Sequence, residues 1–467
     1  GAMSVKNVSA TYTNNRGTIL PGYNQETNIL GQNPRFDAPG FNFISGLQED
    51  EFAFKAASEN WVVNNDSTGL IYNYATTFSE NYNVRATIRP IKSLNIQLTA
   101  NRNYSINSAQ QFFAIDDNFA NPVDSGGSIV EVNNGGETNR YYLVSPINTG
   151  NFSMSFLSFN TAFFGDDPLD RSSKVFDNFL KERAAISERL GADNNNSTTT
   201  TNDGYSTGYG ETSQDVLIPA FIAAYTGKTG EEVSLKNFQN FIPLPNWRVT
   251  YDGLSKLAFV NRLFKKFSLS HSYKSTLNYG SFTTNLLYQQ DDFGDASARD
   301  LTNNFVPELS IATVSITEQF SPLIGADMTL NNNMLLRVEY RKNRNASLSM
   351  SNNQITEIKG VEWTVGTGYK FRKVRLPIAK SAADVDTRID VGVRDNNTVV
   401  RRIVENVTQL TSGQRILSIK LTADYRVSSN LNLRAFYDYT STKPFVSSTF
   451  PTTNTNVGLS VRFTFSQ

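Results

Sequence analysis

The run Val457-Gly458-Leu459-Ser460-Val461-Arg462-Phe463-Thr464-Phe465 puts an apolar side chain at every odd position and a small, polar or charged one at every even position. Successive side chains of a strand point to opposite faces, so a period of two marks a strand with one apolar and one wetted face. The same pattern recurs upstream. Leu431, Leu433, Ala435, Tyr437 and Tyr439 alternate with Asn432, Arg434 and Asp438, and Ile419, Leu421, Ala423 and Tyr425 alternate with Lys420, Thr422 and Asp424. Near the other end, Val84, Ala86 and Ile88 alternate with Arg85, Thr87 and Arg89, and Leu94, Ile96, Leu98 and Ala100 with Asn95, Gln97 and Thr99.

A soluble antiparallel sandwich alternates in the same way. Three features point instead to a transmembrane antiparallel β-barrel. The polar parity holds full charges (Arg85, Lys420, Asp424, Arg434), as a water-filled lumen allows. Several runs exceed the ~5–6 residues of an ordinary strand. Tyr104, Tyr340, Tyr369 and Tyr439 fall where strand ends and an interfacial aromatic girdle are expected.

Composition agrees. Of 467 residues, 39 % are hydrophobic and 18 % charged, with 32 Phe and 20 Tyr, and uncharged polar residues make up most of the remainder. That mixture suits a sheet facing lipid on one side and water on the other. The formal net charge is zero, so no field argues for nucleic acid, and the basic-aromatic run Tyr369–Arg375 alternates at strand period. No cysteine and one histidine exclude structural zinc sites and Cys–His nucleophiles. No apolar stretch approaches the ~20 residues of a membrane helix, so a membrane reading requires a closed barrel. Gly1-Ala2-Met3 is no signal peptide; it reads either as a cloning scar or as an internal start, and the chain as a piece of something longer.

The alternation test predicts strands at 3–13, 70–89, 94–112, 151–163, 266–289, 305–320, 333–351, 355–375, 386–405, 414–427, 430–442 and 455–466. Within 386–405, Asp395-Asn396-Asn397 looks like a turn, but the apolar parity continues unshifted into Val399 and Ile403, so one long strand is expected. Tight turns at 89–93 and 428–430 alternate with long polar inserts at about 14–69, 113–150, 290–304 and 441–454. The turns are assigned to the periplasm and the inserts to the cell exterior. Between 164 and 265 the pattern breaks. Lys174–Leu190 and Asp215–Tyr225 are predicted helices, with a flexible Asn/Thr/Gly stretch, Asn194–Gly210, between them. Counting strands puts this mostly helical insert on the periplasmic side, between barrel strands in 1–163 and 266–467.

Catalytic, cofactor and metal sites find no support, and the chain is not expected to be an enzyme. His271 lies on the apolar parity of Phe267, Leu269 and Tyr273, where a structural role outweighs a ligating one. Asp166–Asp167, Asp291–Asp292 and Glu49–Asp50–Glu51 lack the spacing of a calcium loop and read as solvated loop charge. Gly204–Gly210 and Gly22–Gly46 lack the strand and helix of a phosphate loop.

Two segments are more specific. Phe241-Ile242-Pro243-Leu244-Pro245-Asn246-Trp247-Arg248, continuing through Tyr251-Asp252-Gly253-Leu254 to His271-Ser272-Tyr273, is one; Asn15-Arg16-Gly17-Thr18 through Leu20-Pro21-Gly22 to Pro39-Gly40-Phe41 is the other. With Asp215–Phe221 and the tail from Phe436 to Pro451, they resemble the C-terminal part of the SprA/Sov family of Bacteroidota outer-membrane proteins. The resemblance runs over essentially the whole chain. It implies part of a very large barrel, the translocon of the type 9 secretion system, which also supports gliding motility. It further implies a lateral opening and, as partners, the remainder of the barrel, PorV-like and plug proteins, secreted cargo and the lipid bilayer. The motif residues Pro243, Pro245, Asn246, Trp247 and His271 are read as structural: the prolines end the helical insert and Trp247 anchors the returning chain. An autonomous outer-membrane barrel or a surface adhesin binding ligand through its loops stays open as the alternative, and a TonB-dependent transporter is weaker because no plug domain precedes the strands.

Overall fold

The computed structural model describes residues 4–49, 51–63, 71–115, 127–134, 137–167, 171–198, 203–235, 238–375, 382–428, 430–446 and 449–464. Antiparallel sheet dominates. In chain order the first half contains β1 (Ser4–Ile19), α1 (Phe41–Ile44), α2 (Phe52–Ser58), β2 (Tyr72–Ile91), β3 (Leu94–Ala114), β4 (Ser128–Asn134), β5 (Glu137–Leu143) and β6 (Ile147–Ser155). Next come α3 (Lys174–Ala192), α4 (Gln214–Thr226), β7 (Asn246–Tyr251), α5 (Ala258–Asn261), β8 (Phe264–Thr284) and β9 (Leu309–Ile311). The rest is β10 (Thr313–Leu330), β11 (Leu335–Ser349), β12 (Gln354–Val374), β13 (Ala383–Arg402), β14 (Val407–Arg426), β15 (Leu431–Pro444) and β16 (Thr452–Phe463). No helix among the described residues is long and apolar enough to cross a membrane.

Twelve strands form the main path, β1-β2-β3-β6-β8-β10-β11-β12-β13-β14-β15-β16. β1 pairs only with β2 and β16 only with β15 among the described residues, so the sheet is open at both edges. Several connections close within four residues on an asparagine in the left-handed region, Asn333 (φ 67°), Asn353 (φ 44°) and Asn406 (φ 51°), which asparagine tolerates better than other branched residues.

The expectation of one long strand at 386–405 holds as β13. Asp395, Asn396 and Asn397 pair with Val361, Gly360 and Lys359 on one side and with Arg415, Gln414 and Gly413 on the other. With both neighbours running past, the backbone of the polar segment is satisfied in the ladder and has no reason to turn.

Other boundaries move. The strand expected at 3–13 runs on to Ile19, and the one expected at 305–320 continues to Leu330. There the register breaks between Phe320 and Ile324, where Pro322 has no N–H to give the ladder. The strand expected at 151–163 stops at Ser155, and the insert expected to be helical contains β7. Phe465, part of the expected last strand, lies outside the described residues. The polar inserts at 14–69 and 113–150 hold structure of their own. α2 and the β4–β5 hairpin enclose a small core of Phe52, Trp61, Phe112, Tyr141 and Leu143. Tyr104, Tyr340 and Tyr439 sit within strands rather than at their ends.

Directly paired residues share a face, and this divides the sheet into two surfaces. One carries an apolar band that can be followed lane by lane: Val8, Ala86, Leu98, Trp247, Tyr273 on one side of the insert, and Val338, Val365, Val391, Ile419, Tyr439 beyond it. The opposite face carries Arg85, Arg337, Asp390, Lys420, Asp424 and Arg434. One end of the sheet has the tight β2–β3, β10–β11 and β14–β15 turns. The other has residues 20–71, the β4–β5 hairpin and the 285–308 connection.

Candidate functional site: a broken lane and its latch

The most unusual part of the wall is the lane between β3 and β8. β6 fills only the half toward the long loops, pairing with Arg102–Ala109 of β3. β7 fills the other half, pairing with Leu94–Thr99 of β3 and with Leu269–Tyr273 of β8. Residues 156–245 therefore leave the sheet sideways in mid-lane and return to it in mid-lane.

Side chains seal the break. Asn246 Oδ1 accepts the Ser275 N–H at 2.7 Å, and Ser155 Oγ accepts the Asn101 N–H at 3.1 Å. The Phe156 N–H donates to Ser275 O at 3.0 Å, and the Leu244 N–H donates to Ser155 O at 3.0 Å. Ser155, Asn246 and Ser275 are all buried. An unpaired buried amide would cost ~1–3 kcal/mol, so these side-chain acceptors replace the missing strand in the ladder. Trp247 stacks on Tyr273 with centroids 4.5 Å apart and packs in a cluster with Leu157, Phe320 and Leu323. His271 lies 6.4 Å from the Trp247 ring, and its Nδ1 is 2.7 Å from Leu323 O.

The excursion folds back onto the apolar-band face, toward the long-loop end. α4 is apolar all round and almost entirely buried, as a helix packed between a sheet and a second helix must be. Phe176, Phe179 and Ile186 of α3 and Leu217, Phe221 and Ala224 of α4 cover Phe152, Leu277, Val314, Ala346 and Leu348 of the sheet. Asn195 Nδ2 donates to Asp295 Oδ2 at 2.7 Å, and the Gly210 N–H donates to Asn304 Oδ1 at 2.8 Å, tying the insert to the 285–308 connection. Strand counting placed the insert with the tight turns. The structure places it with the long loops, because β6 crosses only half the sheet and β7 completes the crossing. The described parts of Asn194–Gly210 are pinned as well: Asn194 Nδ2 donates to the Tyr209 hydroxyl at 3.0 Å, and the Ser187 hydroxyl donates to Tyr209 O at 2.6 Å.

Under the insert lies a buried ionic latch. The Ser158 hydroxyl (2.8 Å) and the Tyr273 hydroxyl (2.9 Å) donate to Glu318 Oε1, and Arg344 meets Glu318 Oε2 at 3.1 Å. Arg344 also donates to Thr161 O at 3.0 Å. Beside them, Arg401 donates to Glu357 Oε2 at 2.9 Å and to Asp166 Oδ1 at 2.8 Å. Lys359 reaches the same Asp166 oxygen at 2.8 Å, and the Tyr225 hydroxyl donates to Glu357 Oε1 at 2.5 Å. Arg401 is 0 % exposed and Glu357 1 %. Three cations (Arg344, Lys359, Arg401) face three carboxylates (Asp166, Glu318, Glu357), so the cluster is neutral. Isolated charges at this depth would be prohibitive. Burial and the Glu357 carboxylate both push the Tyr225 phenol well above its ordinary value, so it donates at every physiological pH.

A cleft of about 190 Å³ opens between α4, β8 and β9, lined by Ile218, Ile222, Phe238, Phe241 and Leu309, with Asp215 at its rim. Burial pushes the Asp215 carboxyl up to about 6.

The sequence motif and the structure converge on the break: Asn246 and Trp247 are at its seal and His271 is beside it, while Pro243 and Pro245 lead the chain into β7. Asp166 requires correction. Its side chain is 5 % exposed and bound to Arg401 and Lys359, so it is a buried partner and not solvated loop charge. Asp291 instead caps its own turn, accepting the Phe293 and Asp295 N–H groups at 3.0 and 2.9 Å. Glu318, Glu357 and Arg401 escaped sequence reading, although a signal existed. Each carries a charge on the apolar parity of its strand, as Glu318 does between Ile316 and Phe320, and Arg401 between Val399 and Ile403. No family model and no curated protein matches the chain.

Proposed function

We propose that the chain is part of the wall of an outer-membrane, protein-conducting translocon of the SprA/Sov kind, exporting type 9 secretion cargo to the surface of a Gram-negative cell, and that it acts without enzymatic chemistry. The observation that carries the reading is the apolar band. On β12 it runs from Trp363 to Phe371, eight steps or about 26 Å at ~3.3 Å per residue, close to the ~25 Å apolar belt of outer-membrane barrels. Exposed apolar residues on β13, β14 and β16 (Val391, Leu421, Leu459) extend it across the sheet. Toward the loop end it stops at Tyr340 and Trp363, stacked at 4.4 Å, and the ionic latch begins beyond them. The opposite face, polar and charged, suits an aqueous passage.

The two open edges favour a segment of a larger wall over a closed barrel, since an unpaired strand edge seeks a partner. On this reading the remaining partners are the rest of the barrel, PorV-like and plug proteins, cargo and lipid. Deleting these residues from the native protein should abolish release of cargo into the medium; unchanged cargo levels would sink the proposal. One observation favours the alternative of an autonomous barrel or adhesin, namely the separate core built by α2, β4 and β5 at the loop end. The chain refolded alone in detergent distinguishes the two. A closed barrel migrates differently before and after heating, whereas an open segment aggregates.

A further inference from the structure

The polar face is not uniform. From β10 to β16 its charges neutralise one another. Arg337 lies 3.5 Å from Asp327 and also contacts Glu339, Arg341 lies 3.6 Å from Glu362, Arg388 lies 2.7 Å from Asp390, and Arg434 lies 3.6 Å from Asp424. From β1 to β8 the same face carries one carboxylate among the described residues, Glu131 of the β4–β5 hairpin, and Arg140 beside it neutralises it at 2.9 Å. Its strands present Asn, Ser and Thr side chains, such as Asn101, Asn103, Ser270 and Ser272, interrupted by Arg85, Arg248, Lys266 and Lys274. All four of these cations are exposed. Arg85 pairs across with Thr99, whose neighbour Gln97 pairs with Arg248, and Arg248 pairs with Ser272, two residues from Lys274. With lanes ~4.8 Å apart and ~3.4 Å per residue, Arg248 and Lys274 stand about 8 Å apart, near one Debye length at physiological salt, and Arg85 lies about 12–14 Å from them.

We infer that this half of the polar face, whose long strands β1, β2, β3 and β8 carry cations without carboxylates, is a contact surface for acidic stretches of polypeptide. Three adjacent unneutralised cations attract carboxylates. The surrounding Asn, Ser and Thr side chains offer hydrogen bonds to an extended chain in either orientation, and the face offers no apolar patch to hold it fast. The ion-paired half has no such preference, because an arriving carboxylate would displace one already bound. The inference deepens the reading of this face as a passage for protein and rests on it.

The protein purified in detergent from its native membrane is titrated against fluorescent oligoglutamate, oligolysine and an uncharged Ser/Asn peptide of equal length. Oligoglutamate should bind at least roughly tenfold more tightly than the other two, and raised salt should remove that advantage. The combined variant Arg85→Gln, Arg248→Gln, Lys274→Gln should lose most of the binding, whereas Arg388→Gln with Arg434→Gln on the paired half should leave it unchanged. Equal binding of the three peptides, or equal weakening by both sets of substitutions, overturns the inference. Cargo release into the medium reads the translocon proposal separately: normal export in cells lacking these strands would sink that proposal even where oligoglutamate binds. Export that needs the strands but shows no acidic preference in the titration would sink only the inference.

Discussion

Asn246 fills a place in a ladder that a main-chain carbonyl ordinarily takes. Its Oδ1 accepts the buried Ser275 N–H, and no backbone of β6 or β7 reaches that position. Asn246→Ala should therefore cost ~1–3 kcal/mol of stability, the penalty of one orphaned buried amide, visible as a lower urea midpoint. An unchanged midpoint would mean that water reaches the break. Arg401 carries more. It is fully buried and holds Glu357 and Asp166 together, so Arg401→Ala leaves Lys359 as the one cation for two buried carboxylates. A loss of ~3–5 kcal/mol is expected, with much of it recovered when Asp166→Asn is added, which leaves Lys359 paired with Glu357. Absence of that recovery would show that the arginine's packing over Phe176 matters more than its charge.

At the scale of elements, the lane shared by β6 and β7 explains why a helical insert can join the wall without breaking it. The chain crosses once in two halves, and the 156–245 excursion returns to cover charges that the strands place on their apolar face. Titration within the excursion has a defined sign. Asp215 has a folded value of about 6 against an ordinary value of 3.8, raised by burial, so the folded state holds the proton more tightly than the unfolded chain. Its contribution is complete below about pH 4 and is lost as pH rises through about 6. Asp215→Asn should flatten stability between those limits and stabilise the protein at pH 7 by roughly 1–2 kcal/mol, a figure discounted because the carboxylate sits in the first turn of α4. Parallel pH–stability curves for the two proteins would remove Asp215 as the titrating group.

For the whole molecule, the decisive surface is the apolar band. Val391 lies within it, paired with Val365 and Ile419, and is 36 % exposed. Val391→Arg should lower assembly into membranes by an amount corresponding to ~2–4 kcal/mol, whereas Lys420→Gln on the opposite face should leave assembly unchanged. The readout is the fraction of protease-resistant protein in isolated membranes. Equal assembly of the two variants would mean that the band does not face hydrocarbon.

Alternation by itself determined the long strands and their two faces, because a side-chain period of two is a local property of extended backbone, while the short β4, β5 and β7 escaped it. It held even through the polar centre of β13, where a turn was the obvious alternative. Other features depended on packing. Whether residues 151–163 crossed the sheet or stopped at Ser155 turned on β7 occupying the rest of the lane, a pairing with β3 between residues about 150 apart in sequence. The same holds for the latch. Along the chain Asp166 looks like a surface charge and Glu318, Glu357 and Arg401 are charges out of place on apolar parities; only the covering helices remove water from all four and make their pairing obligatory.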